Sequence, residues 1–371
     1  MSKPEIHVDV CLFGAGIAGL WTLNALQNAG YSCILLESRA IGSGQTIAAQ
    51  GIVHSGLKFA LTGKISALSR ELSAMNARWE SALDGQDLSG VDLSAVQMNA
   101  QSQYLLTRPG LMGGVMNAVT GKMLGRAAHE VKRGQWPKLL EQSGFDGRMI
   151  EMGEPVLDMP SLTRALAAPH HDRIRKIDWP EGVDLVRDEG GGLAYVDTPE
   201  VRIRAQRYAL TAAAGNREAA RKLGLENSVE IQHRPLLMGM LRPAPFPLFA
   251  HMVGKSDKPV ATITTHRDSC GRTVWYLGAG IAERARDSDP GDVKEAAVKA
   301  FQTYLPGLHL QDSEWAVWPV DRVEGRAAKG GWMPDTPTLN VHGNVLFAWP
   351  TKMTFAPLLS DWILDKLAHQ N

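Results

Sequence analysis

Apolar positions set the first part of this chain. Val8 to Phe13 is apolar apart from Asp9 and lacks strict alternation, as expected of a parallel strand covered on both faces. Ile17, Leu20, Leu23 and Leu26 then fall on one helical stripe, which predicts a helix over 17–29 stopped at Gly30. A second apolar run predicts a strand over 33–37. Across 64–83 a polar sequence carries Ile65, Leu68, Leu72, Met75, Trp79 and Leu83 at helical spacing, the pattern of a surface helix with one buried face.

Beyond that the pattern is more broken. A strand is expected at 103–107, and Glu154 to Leu162 leads into a helix with Ser161 as candidate cap. Short strands are expected through 183–210 around the Gly190-Gly191-Gly192 turn. A strand from Tyr208 ends in a tight turn at Ala214-Gly215-Asn216 before a helix over 218–223. Sheet-like runs at 236–241, 260–265 and 274–277 precede a helix over 292–304. The chain closes with a strand at 345–348, a turn, and a helix reaching Lys366. Parallel α/β signals thus occur at both ends and in the middle, with β-rich sequence between. The expected class is α/β: a discontinuous Rossmann-like parallel-sheet domain over 1–83, 151–230 and 331–371. An antiparallel, β-rich α+β substrate domain is inserted over 84–150 and 231–330.

The first strand, turn and helix carry specific chemistry. Gly14-Ala15-Gly16-Ile17-Ala18-Gly19 has the spacing in which one glycine makes a tight turn, the next admits a pyrophosphate, and the last lets helix and strand pack closely. The amides around Ile17 and Ala18, at a helix N-terminus, favour that negative charge. Glu37, with Ser38 beside it, ends the second strand where a carboxylate accepts hydrogen bonds from ribose hydroxyls. Strand, spacing, helix and acid agree on a dinucleotide site.

Bulk properties narrow the remaining classes. The 371 residues suffice for one large or two moderate domains, and Lys plus Arg equal Asp plus Glu at 39 each. That balance, with no basic cluster, argues against nucleic acid as a partner. Three cysteines without CxxC spacing suit a reducing compartment, with Cys11 and Cys33 as small buried hydrophobes. The N-terminal apolar stretch is preceded by Glu5 and interrupted by glycines, unlike a signal peptide. No run approaches the ~20 apolar residues of a membrane span, so a soluble, cytoplasmic protein is expected.

A second motif follows the 33–37 strand: Ser43-Gly44-Gln45-Thr46-Ile47-Ala48-Ala49-Gln50-Gly51-Ile52-Val53-His54-Ser55-Gly56. Small hydroxyl and glycine residues let backbone crowd a ligand. This arrangement resembles the D-amino-acid-oxidase-type superfamily of FAD-dependent oxidoreductases, in which a Ser/Thr-rich loop and a histidine-glycine segment lie along the flavin. Ile52 to Gly56 is most similar to the L-2-hydroxyglutarate oxidase and glycerol-3-phosphate dehydrogenase branches. The strand ending at Ala214-Gly215, Pro306-Gly307-Leu308 with Trp315, and Phe347 to Pro357 also resemble family segments. The resemblance implies FAD as cofactor, held by Gly44, Gln45, Thr46, Gln50, Gly51, Ala214, Gly215, Met353 and Thr354 besides the residues above. His54 is displaced by one position from the W-H-T-A-G-L-like segment of covalently flavinylated relatives, so non-covalent attachment is expected.

Two departures fall at the reacting end. Lys352 and Met353 stand where the family's closing motif has glycine, and Lys352 becomes a candidate for stabilising negative charge on reduced flavin. The family arginine after the late tryptophan is missing at Trp318-Pro319, leaving Lys58, His251, Arg322 and Arg234 as candidates for a substrate carboxylate. His54 is the candidate base, although a histidine there can also simply hydrogen-bond the loop or cofactor. His170-His171-Asp172 lacks a third spaced ligand and reads as a surface turn, so no metal is expected. The resulting expectation is oxidation of a small, carboxylate-bearing 2-hydroxy acid or amino acid by hydride transfer to flavin. The alternatives are an amine or imino-acid oxidase assisted by Tyr276 or by no base, and a flavin-binding subunit with altered chemistry. The sequence leaves the electron acceptor open.

Overall fold

The computed structural model describes residues 3–56, 67–109, 128–254, 258–285, 287–326 and 334–368. The first apolar run forms strand β1, Glu5–Phe13, whose last four residues are all buried. Helix α1, Ile17–Asn28, follows the glycine turn, and strand β2, Cys33–Glu37, follows the helix. Gly30 takes φ +88° where α1 stops, a conformation that suits glycine.

These elements belong to an eight-stranded sheet. Val345–Trp349, Arg202–Leu210, β1, β2 and Ile174–Lys176 lie side by side and parallel, with Thr338–His342 antiparallel on one edge. The Asp184–Arg187 and Leu193–Asp197 hairpin adds to Arg202–Leu210. Alternate residues of β1 serve two cores. Val10 and Leu12 pack with α1 and the C-terminal helix Ala356–Ala368, while Cys11 and Phe13 pack on the opposite face with Tyr208, Phe347 and Trp349. Cys11 and Cys33 are free and buried, and burial pushes the Cys33 thiol up to about 12, so both act as core hydrophobes.

A second eight-stranded sheet is built from 104–151 and 236–320, its members antiparallel except where Ala250–Val253 runs parallel to Tyr104–Thr107. Helix Pro290–Tyr304 covers one face with Phe301 and Tyr304 against Trp275 and Leu277. Ala250–Val253 is a strand too short for its alternation to stand out in the sequence, and one of its partners, Tyr104–Thr107, lies far away in the chain. The Ser161 expectation is corrected. Asp158 caps helix Met159–Ala167 by accepting from the Ser161 amide at 2.8 Å, because Pro160 fits only the first turn and sets the start earlier. No helix among the described residues is long and apolar enough to cross a membrane.

Candidate active site

The parallel strands all end on one edge of their sheet, the edge where α/β proteins bind ligands. Four connections gather there: Gly14–Gly16 after β1, 38–56 after β2, Thr211–Asn216 after Arg202–Leu210, and 350–355 after Val345–Trp349. Gly14 has φ +93°, and a Cβ there would lie 2.6 Å from Ala212 Cα. A Cβ on Gly19 would lie 2.0 Å from the Gly14 oxygen, so the helix approaches the turn as only glycine allows. Gly16 precedes α1 without a side-chain cap of its own, and Thr46 Oγ1 from the next loop accepts from the Ile17 amide at 3.0 Å. Among the described residues, no hydrogen bond is made by the Gly16 or Ala18 amide. Glu37 accepts from the Ala15 and Arg39 amides, both at 2.7 Å, and a carboxylate so held keeps lone pairs for ribose hydroxyls. The glycine cradle, the uncommitted amides and the fixed carboxylate fit the adenosine and pyrophosphate half of FAD.

Other expected cofactor residues divide into two groups. Gly44 (φ +75°) and half-buried Ser38 sit on the loop at the mouth, and Ala214-Gly215 opens helix Gly215–Lys222 behind Ala213, which has φ +51°. Gln45, Gln50 and Gly51 are engaged with protein. Gln45 Nε2 donates to the Val323 oxygen at 3.1 Å, and Gln50 Nε2 to the Tyr276 and Thr262 oxygens at 3.0 and 3.2 Å. A Cβ at Gly51 would lie 2.2 Å from the Leu157 oxygen. These three tie the loop to the strand Val323–Gly325, to the second sheet and to Val156–Leu157.

At the reacting end the structure joins distant segments. The His54 amide donates to Thr354 Oγ1 at 3.2 Å, and Trp79 Nε1 donates to the Thr354 oxygen at 3.0 Å, which fixes the closing loop against the His54 loop. Lys352 and Met353 are half-buried beside Thr354, after Thr351 at φ +62°. His54 Nδ1 lies 3.2 Å from Oε2 of Glu154, a carboxylate the sequence reading missed. Its only sequence signal is an acid before Pro155 in an otherwise apolar stretch. His251 is 1% exposed, its Nε2 is 3.7 Å from the same oxygen, and its ring stacks on His54 with centroids 5.9 Å apart. Such burial gives His251 a supporting position. The ligand atoms of His54, Glu154 and His251 all lie within 4.8 Å of one another, and the His54–Glu154 hydrogen bond uses two of them.

Arg322 donates to the Thr351 oxygen at 3.1 Å and pairs with the buried Glu324 at 3.3 Å, which Arg234 also contacts at 3.0 Å. Burial holds the Arg322 pKa below the usual guanidinium value, opposed by Glu324. Lys58 lies outside the described residues. Tyr276 donates its hydroxyl to the Ala48 oxygen at 2.9 Å, and burial raises its pKa. His170-His171-Asp172 lies in the surface turn Ala168–Arg173.

The fold and cradle define a dinucleotide-binding α/β protein. Residues 9–348 match the model of the FAD dependent oxidoreductase (DAO) family, and the chain belongs to that family. FAD is therefore its cofactor. A probable FAD-dependent oxidoreductase of Pseudomonas aeruginosa is 36% identical over 98% of this chain and 91% of its own. Its crystal structure has a TM-score of 0.83, with 33% identity over 100% of this chain and 92% of that one. Glycine oxidase from Geobacillus kaustophilus has a TM-score of 0.69 at 19% identity, covering 98% and 95%. L-alpha-glycerophosphate oxidase from Mycoplasma pneumoniae, solved with FAD bound, has a TM-score of 0.66 at 10% identity, covering 99% and 96%. At such identities these last two share the fold.

Proposed function

We propose that the chain oxidises the carbon bearing the hydroxyl or amino group of a small 2-hydroxy acid or amino acid. The observation that carries this is His54 held against the buried Glu154 while its own amide is tied to the closing loop at Thr354. Removing two electrons from such a carbon releases a hydride and, from the attached oxygen or nitrogen, a proton. Bound FAD supplies the hydride acceptor at N5. His54 takes the proton, and the fixed loop keeps its ring in place while it does so. Lys352 and Arg322 put positive charge at the closing loop, suited to a substrate carboxylate or to charge developing near it. The hydroxy-acid half rests also on the similarity of Ile52–Gly56 to the hydroxyglutarate and glycerophosphate branches. In the amine reading, Tyr276 is an unsuitable assistant because its hydroxyl is committed to Ala48. FAD is held non-covalently, so acid precipitation leaves the yellow colour in the supernatant.

The test is anaerobic mixing of the yellow holoenzyme with a panel of 2-hydroxy acids and amino acids. Bleaching by one class is expected, with the rate in His54→Gln about 10²–10⁴-fold lower. With a hydroxy acid that deficit persists at every pH. With an amino acid it shrinks as pH rises through the substrate ammonium pKa. Absence of bleaching across the panel, with FAD bound, would replace this proposal with a flavin-binding subunit of altered chemistry.

A further inference from the structure

We infer that Glu154 is the positioning residue that fixes the His54 proton on Nδ1, with His251 and Thr262 packed behind it. This rests on the reading of His54 as the proton acceptor.

The Glu154 side chain has no solvent exposure, and a carboxylate so placed needs donors around it. Its Oε1 accepts from the Ser55 amide at 2.8 Å and the Ser55 hydroxyl at 2.9 Å. Its Oε2 faces His54 Nδ1 at 3.2 Å and His251 Nε2 at 3.7 Å. The main chain holds this register independently. The Val53 amide donates to the Pro155 oxygen at 3.0 Å, and the Gly153 amide to Ser102 Oγ at 3.0 Å. On the far side, His251 Nδ1 lies 2.7 Å from Thr262 Oγ1.

An ionised carboxylate only accepts, so the His54 Nδ1 that faces Oε2 at 3.2 Å carries its proton toward it. His54 is protonated on Nδ1, which leaves its proton-accepting lone pair on Nε2. The assignment follows from the donor and acceptor set, because ring protons are inferred from their partners. Each of the four residues comes from a different part of the chain: the loop after β2, the turn before Val156–Leu157, and strands Ala250–Val253 and Pro259–Arg267.

The discriminating variant is Glu154→Gln. Its amide oxygen still accepts from Ser55, but its NH2 presents a donor to His54 Nδ1. His54 must then offer Nδ1 as acceptor and carry its proton on Nε2. In ¹⁵N-histidine spectra of the oxidised holoenzyme, assigned with His54→Gln and His251→Gln, the His54 signal is expected to change from the Nδ1–H to the Nε2–H pattern. The kcat is expected to fall about 10²–10⁴-fold, as when a base is locked in the wrong tautomer, with KM within about threefold and FAD content unchanged. A His54 tautomer unaltered by the substitution would overturn the inference. A changed tautomer with full kcat would support the positioning role while removing His54 as base, so failure of the two readings is separable. If Glu154→Gln does not fold, the ¹⁵N-histidine spectrum of the unsubstituted holoenzyme reads the same assignment, with an Nδ1–H pattern expected for His54. An Nε2–H pattern for His54 in that spectrum would overturn the inference.

Discussion

The adenosine end and the reacting end of this site are built in opposite ways. At the adenosine end the working groups are main-chain amides, glycines and one carboxylate, all within the consecutive stretch from β1 through the glycine turn and α1 to β2. At the reacting end they are side chains: His54 meets Thr354 across 300 positions of sequence and Glu154 across 100. A site made of backbone is intolerant of added atoms and indifferent to protonation. A site made of buried polar side chains depends on which atom carries each proton. Substitutions at the two ends should therefore fail differently, one by losing the cofactor and the other by losing the reaction.

The largest effect is expected at Gly19. A methyl there would sit 2.0 Å from the Gly14 oxygen and 2.7 Å from Thr211 Oγ1, and neither can retreat without separating α1 from the sheet. Gly19→Ala should cost ~3 kcal/mol of stability, the upper range for overpacking a close contact, and yield colourless protein. His54→Gln should stay yellow. If Gly19→Ala binds FAD with wild-type affinity and melts at the same temperature, the close approach is not what defines this end.

A smaller change is expected at Glu37. Gln at this position keeps one acceptor for the Ala15 or Arg39 amide but presents a donor in place of the other oxygen. Losing charge-assisted hydrogen bonds to the main chain and the ribose should weaken FAD about 10–100-fold, read by flavin fluorescence on titration of apoprotein. The kcat of the fully loaded variant should stay near the wild-type value. A normal FAD affinity with a reduced kcat would invert the comparison.

The same difference governs what could be read from sequence. Gly14, Gly16, Gly19 and Glu37 were legible because turn, helix and strand are consecutive, so spacing alone carries their geometry. Ala250–Val253, Thr262 and Glu154 were not, because strand pairing and burial across the second sheet bring them together. Glu154 before Pro155 looks like any polar residue at the entrance to an apolar segment. Nor does spacing show the contacts of Gln45 and Gln50, whose side-chain amides donate to the main-chain oxygens of Val323 and of Thr262 and Tyr276. The end of the strand Val345–Trp349 was visible, but that its loop locks onto Trp79 and His54 required the fold.

The smallest expected effect concerns acid stability, and it too separates the ends. His266 lies on the same face of strand Pro259–Arg267 as Thr262 and Thr264. Its Nε2 is 2.8 Å from Thr264 Oγ1, its Nδ1 3.3 Å from Asn99 Nδ2, and its ring meets the edge of Tyr276. Burial lowers its pKa from 6.5 to about 4, opposed weakly by Asp158. The unfolded chain therefore takes up this proton first. The contribution of His266 is complete above pH 6.5 and is lost as pH falls from there toward 4. Allowing for the ring's partial exposure, the loss is about 1–2 kcal/mol. His266→Gln keeps an amide able to meet Thr264 and Asn99 but does not titrate, so its urea midpoint should fall less steeply across that window. Glu37→Gln should leave the His266 part of the slope intact. A wild-type slope in His266→Gln would place the acid-sensitive group elsewhere and remove buried imidazole as a distinguishing property of the substrate side.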